Sequence, residues 1–598
     1  MCGIGGVLRF DGAEVDLGLL RRMAGSLAHR GPDDEGVYTA GPLGLVNRRL
    51  AVLDPTPQGH QPMGSPDGSL WLTHNGEIYN YQELRAELSA AGRVFKTGTD
   101  TEVILAAFEA WGIACLERFV GMFAFALWDA RDDTLWLARD RLGIKPLHYA
   151  CDGQRLVFAS EIKTLFLDGD VHKEMRAEAF AEYLAYTHPL ERDTTWFKDV
   201  HTVPPGCYGR VNDGRLEVTS WWDPVDCYRR SPAEGPDLVH EVREQLEDAV
   251  TLHVRSDVSL GAYLSGGLDS SLVVGLVAET LPDPVWTFSG AFAEGERYDE
   301  RRYVRLVVDR WHTVHHEVVP DDEAFRHDIG QVAWQLDEPS VGVAAFSQYE
   351  VCRLVKDSGV KVVNGGQGGD EVFGGYPRYL RHTEPGWAGA LRQAFDLPVM
   401  KAHVRRRLYD GSFGRRVTGL HPDLARRLGD FRPTRPSALA DPVADAMYFD
   451  LRYYLPALLQ VEDRMSMAMS IESRLPLLDH RLVELAASIP SSTLMPDGRL
   501  KGLLRQSVAD VVPTEIVERR DKAGFPTPFG PWVRGPLGGW ARDLLLGPDF
   551  TARRVFAPRY LRALLDLHQK TPLPMTYPLW VAVSVALWFE AFDPGIDW

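Results

Sequence analysis

The sequence predicts two domains of different class. A layered α+β domain built on antiparallel sheet is expected over residues 1–220, and an α/β domain with a parallel sheet and a helical extension over 238–598. Three observations carry this reading. Short β-like runs with few helices fill the first two hundred residues, apolar strand runs then alternate with longer helical stretches, and beyond about residue 380 no strand pattern is visible. Between the halves, residues 221–237 read WWDPVDCYRRSPAEGPD, whose prolines and clustered charges mark a linker.

In the first half, strands are expected over 5–10, 44–54, 70–74, 122–129, 135–139 and 156–159, with helices over 17–29, 81–91 and 101–111. In the second, the series runs strand 260–265, helix 270–281, strand 285–289, helix 298–311, helix 345–358 and strand 360–364, the order of a parallel sheet wrapped by helices. The longest apolar run, 579–589, has 11 residues. It falls well short of the roughly 20 that span a bilayer, so it reads as a buried terminal helix and no membrane is expected as a partner.

Acidic residues outnumber basic ones by 83 to 65, a net charge of −18, which repels nucleic-acid phosphate and argues against DNA or RNA as a partner. The six cysteines (Cys2, Cys115, Cys151, Cys207, Cys227 and Cys352) form no CxxC pair, which excludes a disulfide scaffold and argues against a structural zinc site. The start, MCGIGGV, lacks a basic segment followed by a long apolar stretch, so a reducing cytoplasm is the expected location.

A cysteine at position 2 becomes the first residue once Met1 is removed. Its α-amine can then act as base for its own thiol, so one residue supplies nucleophile and base. The glycines of Cys2–Gly3–Ile4–Gly5–Gly6 are read as letting a substrate approach the backbone. Further on, His29–Arg30–Gly31–Pro32–Asp33, Asn47–Arg48–Arg49–Leu50, Asn75–Gly76–Glu77–Ile78–Tyr79–Asn80 and Gly98–Thr99–Asp100 each set polar groups beside a turn. With residues 122–129 and 139–147, this series resembles the glutaminase domain of the N-terminal-nucleophile amidotransferases over about residues 2–210. The resemblance implies that Cys2 attacks the glutamine side-chain amide and that the Asn75 amide and Gly76 N–H form the oxyanion hole. It also implies that Arg49 grips the glutamine carboxylate, that Glu77 and Asp100 meet its ammonium, and that Leu50, Ala51, Val52 and Leu53 line the pocket.

The second constellation is Leu264–Ser265–Gly266–Gly267–Leu268–Asp269–Ser270–Ser271, an apolar strand that passes through two glycines into a helix. Close backbone approach, hydroxyl donors and a helix N-terminus make this an anion cradle, while GxxxxGK[ST] is absent from the chain. SGGLDSS resembles the PP-motif of ATP pyrophosphatases. A second loop, Gly365–Gly366–Gln367–Gly368–Gly369–Asp370–Glu371, follows the strand at 360–364, and both loops are expected at carboxyl ends of parallel strands. Asp269 and Asp370 then converge on a Mg²⁺ beside ATP.

A glutaminase followed by a PP-motif domain, with Phe373–Gly374–Gly375–Tyr376 and Glu472–Asp479 downstream, resembles the glutamine-hydrolysing asparagine synthetase B family over essentially the whole chain. That likeness implies a cationic role for Lys522 at the pyrophosphate and acyl-adenylate. It places Leu264, Gly365 and Gly366 beside the adenosine, puts Arg464 and Arg474 near the site or in structural ion pairs, and leaves a homodimer open. One position departs from the family: asparagine-making members have SGEGxDE, whereas Gln367 replaces that glutamate here, and a carboxamide is no general base. The acceptor therefore stays open between aspartate and another carboxylate of specialised metabolism. A lactam-forming relative is disfavoured by intact Cys2, and a non-catalytic nitrogen sensor by intact Asp269, Asp370 and Lys522.

Overall fold

A computed structural model describes residues 2–230, 237–382, 419–520, 526–571 and 575–598. The strands of the first half are, in chain order, β1 (Cys2–Arg9), β2 (Asp34–Ala40), β3 (Leu43–Arg49), β4 (Met63–Gly64), β5 (Leu70–Ile78), β6 (Gly121–Asp129), β7 (Thr134–Arg139), β8 (His148–Cys151), β9 (Arg155–Ala159), β10 (His201–Thr202), β11 (Cys207–Asn212) and β12 (Arg215–Ser220). They form two antiparallel sheets, β10-β8-β9-β1-β3-β2 and β12-β11-β7-β6-β5-β4. Alternate residues from each, such as Ile4, Leu45 and Phe158 facing Ala124, Ala126 and Leu137, share one buried cluster, so the sheets pack face to face.

Helix Leu17–Ser26 covers the outer face of the first sheet through Leu20 and Met23. Helices Tyr81–Ala90 and Asp100–Trp111 cover the second through Leu84, Leu88, Val103 and Ile104. The expected glutaminase layering is present. The glycines of β1 have a different use from the one read in the sequence. A Cβ at Gly6 would stand 2.4 Å from Gly44 O, and one at Gly3 2.8 Å from Leu27 Cβ, so these glycines serve packing of the sheet against its neighbours. The strand expected over 44–54 stops at Arg49, because the Ala51 N–H is taken by Asp33 Oδ2 at 2.8 Å and the chain then wraps around the Arg49 guanidinium.

The second half holds β13 (Leu260–Tyr263), β14 (Trp286–Gly290), β15 (Val314–Val318), β16 (Val362–Asn364) and β17 (Glu472–Arg474), parallel in the order β15-β14-β13-β16-β17. β17 lies in the region where no strand is expected and the chain reads as mostly helical. Its residues Glu-Ser-Arg carry no apolar signal, and pairing with β16 alone makes them a strand. Because β13 neighbours both β14 and β16, the chain reverses its direction of sheet growth there, and the loops leaving β13 and β16 lie side by side. The terminal helix Thr576–Phe592 is buried as expected, and its Trp588 packs on Trp196 and Phe197 of the first half. Among the described residues no helix is long and apolar enough to cross a membrane, and all six cysteines are free.

Candidate active sites

Cys2 opens β1, faces Arg49 of β3 in register, and is buried. Its backbone N–H donates to Asn75 Oδ1 at 2.9 Å, which leaves the Asn75 Nδ2 buried with no hydrogen-bond partner among the described residues. Gly76 follows at φ +150°, where a Cβ would stand 2.1 Å from Met122 O, so only glycine holds this backbone. Burial pushes the Cys2 thiol up, opposed by an N–H from Leu50 and the charge of Arg49.

The Arg49 guanidinium donates to the carbonyls of Thr56 and Leu53 at 3.0 Å and of Asp54 at 2.6 Å, and thereby shapes the loop that carries Leu50, Ala51, Val52 and Leu53. These four residues are buried beside it. Glu77 and Asp100 are also buried, and Asp100 Oδ2 accepts from Ile78 N–H at 2.8 Å. Burial and the charges of Glu472 and Asp100 hold the Glu77 carboxyl well above the usual range. Glu472, named in the sequence only as the start of a motif and given no role there, thus joins Glu77 and Asp100 in one acidic pocket whose internal cation is Arg474, 3.9 Å from Glu77 and 2.6 Å from Glu472. Arg474 therefore serves the glutaminase side of the molecule. Arg464 is likewise a structural partner, at 3.1 Å from Glu161 and 3.0 Å from Asp337.

The seam between the halves is ionic here. Arg30 is fully buried, donates to Cys2 O at 3.1 Å, and makes two bonds to Asp463, at 2.8 and 3.0 Å. Although its burial pulls the other way, Asp463 and Glu161 hold the guanidinium above its ordinary value.

At the second site, Gly266 takes φ +69° and Gly267 caps helix Leu268–Thr280, which turns the chain from β13 into the helix. Ser270 Oγ accepts from Ser265 N–H at 3.1 Å, while the Ser271 hydroxyl is buried without a partner among the described residues. Leu264 is buried and bonded to Phe288 O at 2.9 Å. The second loop rests directly on the first. A Cβ at Gly366 would stand 2.7 Å from Ser270 N, and one at Gly369 2.7 Å from Asp269 Cγ, so this glycine-rich stretch is what lets Asp269 and Asp370 meet.

Between the two aspartates stands Lys501, buried, with Nζ 2.6 Å from Asp269 and 2.5 Å from Asp370. Burial pulls its ammonium down, but the two carboxylates outweigh this and hold it above its ordinary value. Gly375 leaves room for the contact, since a Cβ there would stand 1.8 Å from Asp370 Oδ1. Sequence reasoning missed Lys501, which sits in Arg499–Leu500–Lys501–Gly502 with no motif around it. Gln367 is half-buried on the same loop as Asp370. Lys522 lies outside the described residues, while Arg519, three positions earlier, donates to Gly266 O at 3.3 Å.

The family model for asparagine synthase matches residues 241–590, and that for the glutamine amidotransferase domain matches residues 1–222. Similar proteins include glutamine-hydrolysing asparagine synthetase 1 of Bacillus subtilis, 30% identical over 95% of this chain and 93% of its own. Asparagine synthetase 3 of that organism is 29% identical over 100% of both chains. Amidase chry2 of Gibberella zeae is 29% identical over 86% of this chain and 85% of its own. With an N-terminal cysteine set in an antiparallel double sheet, a parallel sheet behind it, and family models covering each half, the chain belongs to the glutamine-hydrolysing asparagine synthetases, ligases that take an amide nitrogen from glutamine.

Proposed function

We propose that the chain adenylates a carboxylic acid at the loops after β13 and β16 and aminates it with ammonia freed at Cys2, with aspartate as acceptor and asparagine as product. The observation that carries the adenylation reading is the convergence of Asp269, Asp370 and Lys501 against the SGGLDSS turn. Once Met1 is gone, the Cys2 α-amine takes the thiol proton and the sulfur attacks the glutamine amide carbon. The oxyanion is met by Asn75 Nδ2, which has no other partner among the described residues, and by the Gly76 N–H. Glu77, Asp100 and Arg49 hold the two charged ends of the amino acid.

Two aspartate carboxylates are the hard oxygen donors that Mg²⁺ takes when substrate phosphates complete its shell, and their convergence on a single cation fits that ion. Bound there, Mg²⁺ would neutralise charge on the triphosphate. Ser265, Ser270, Ser271 and the backbone of Gly266 and Gly267 line the phosphate side, with Leu264, Gly365 and Gly366 toward the nucleoside, and Lys522 enters as a further cation on the pyrophosphate. The free cysteines suit a reducing cytoplasm.

A second reading, amidation of a carboxylate other than aspartate, is favoured by Gln367, and a relative named an amidase is consistent with it. Steady-state amide formation with ATP, Mg²⁺ and glutamine, run on aspartate beside a panel of carboxylic acids, tests both. Efficient asparagine formation with no gain in the Gln367→Glu variant supports aspartate. Poor use of aspartate, improved by Gln367→Glu, supports the second reading.

A further inference from the structure

Glutamine is opened in one half of the chain and the adenylating loops stand in the other, so ammonia must cross the buried ground between them. Several buried carboxylates lie on that ground, and one of them is bonded to residues that lead toward both sites. Glu462, on helix Leu455–Ala468, is buried, and its two oxygens accept from Ser473 Oγ at 2.6 Å and from Gln348 Nε2 at 2.5 Å. On the glutaminase side, its neighbour Asp463 binds Arg30, which holds Cys2 O, and the buried Lys145 stands 3.9 Å from Asp463 and within electrostatic reach of Glu462. On the synthetase side, Ser473 pairs with Val363 of β16, one residue before the strand ends. Tyr263 ends β13, feels the charge of Glu462, and lines Gly365 together with Leu475, each within 3.4 Å of where a Cβ at Gly365 would be.

We propose that Glu462 is a way station for ammonia between the two sites, accepting N–H bonds from the molecule in transit; the proposal rests on the ammonia-transfer reading above. A carboxylate offers about four lone-pair positions, and Ser473 and Gln348 occupy two. Burial holds this carboxyl above its ordinary range, against the bonds from Ser473 and Gln348 and the charge of Lys145. Asp463, the other acid facing it, is committed to Arg30. The purely architectural alternative is that the Ser473 and Gln348 bonds only pin the helix to β17.

The two are separated on the full chain by measuring glutamate release from glutamine, AMP release with ammonium chloride as nitrogen source, and amide formed per glutamate released. The acceptor is the one that gives the fastest AMP release. In Glu462→Gln, which keeps the volume, the first two rates stay near those of the unaltered chain. Amide per glutamate falls on the order of tenfold, the scale of one charged hydrogen bond, and free ammonia appears in the medium. An unchanged ratio in Glu462→Gln overturns the proposal. Should Glu462→Leu lose both half-reactions through misfolding, Glu462→Gln still decides. Absence of AMP release from the unaltered chain with either nitrogen source overturns the amidotransferase reading, and this proposal with it.

Discussion

Replacing Lys501 by methionine removes the ammonium that joins Asp269 to Asp370 while keeping an unbranched side chain of similar length. At 2.6 Å and an effective dielectric of about 20, one such contact amounts to roughly 6 kcal/mol before desolvation. Net values are smaller, and breaking a buried pair by removing one partner costs about 3–5 kcal/mol. The Asp370 side chain is 41% exposed, so its share is screened and the low end, about 3 kcal/mol, applies. If the same energy is lost from the transition state for adenylation, that corresponds to about a hundredfold loss in rate. The assay is AMP or pyrophosphate release with ammonium chloride as nitrogen source, which leaves Cys2 out of the measurement. Glutamine hydrolysis by the same variant reports on folding of the first half and is expected to persist. AMP release within about threefold of the unaltered chain, less than 1 kcal/mol, would refute the assignment of Lys501 to the adenylation centre.

Cys2→Ala is expected to abolish glutamine-driven synthesis and leave ammonium-driven synthesis intact, and a chain that retains Met1 should behave the same way; product analysis with each nitrogen source checks both. Asn75→Ala should slow glutamate release by about a hundredfold or more with little change in AMP formation from ammonium, read by paired initial rates. Asp269→Asn and Asp370→Asn should each impair AMP formation while glutamine hydrolysis continues. The raised Glu77 carboxyl gives a pH signature with a definite sign. Acidification through its elevated pKa, above the ordinary carboxylate range, neutralises the group proposed to meet the glutamine ammonium, so KM for glutamine is expected to rise as pH falls. A Glu77→Gln variant should show a high KM that no longer responds to pH over that window.

The local signals in this chain were strong where a backbone turn itself makes the site. SGGLDSS announces a strand that passes through two glycines into a helix, and the structure has that turn, with Gly266 at φ +69°. Asn75–Gly76 and the Gly365–Asp370 loop were visible for the same reason, as was the alternation of strand and helix after residue 238. Partners that come from distant, unmarked segments were not. Lys501 meets Asp269 across 232 positions of sequence, Asp463 meets Arg30 across 433, and nothing adjacent to Lys501 or Asp463 distinguishes it from a surface charge. β17 escaped notice because three polar residues become a strand only through the hydrogen bonds offered by β16. Sequence determines what a segment does with its own backbone, and so it revealed the fold class of both halves and the strand–glycine–helix turn at Ser265–Ser271. Which charges neutralise one another, which glycines make room for a neighbour, and which groups bond the buried Glu462 depend on distances between segments that only the packed structure sets.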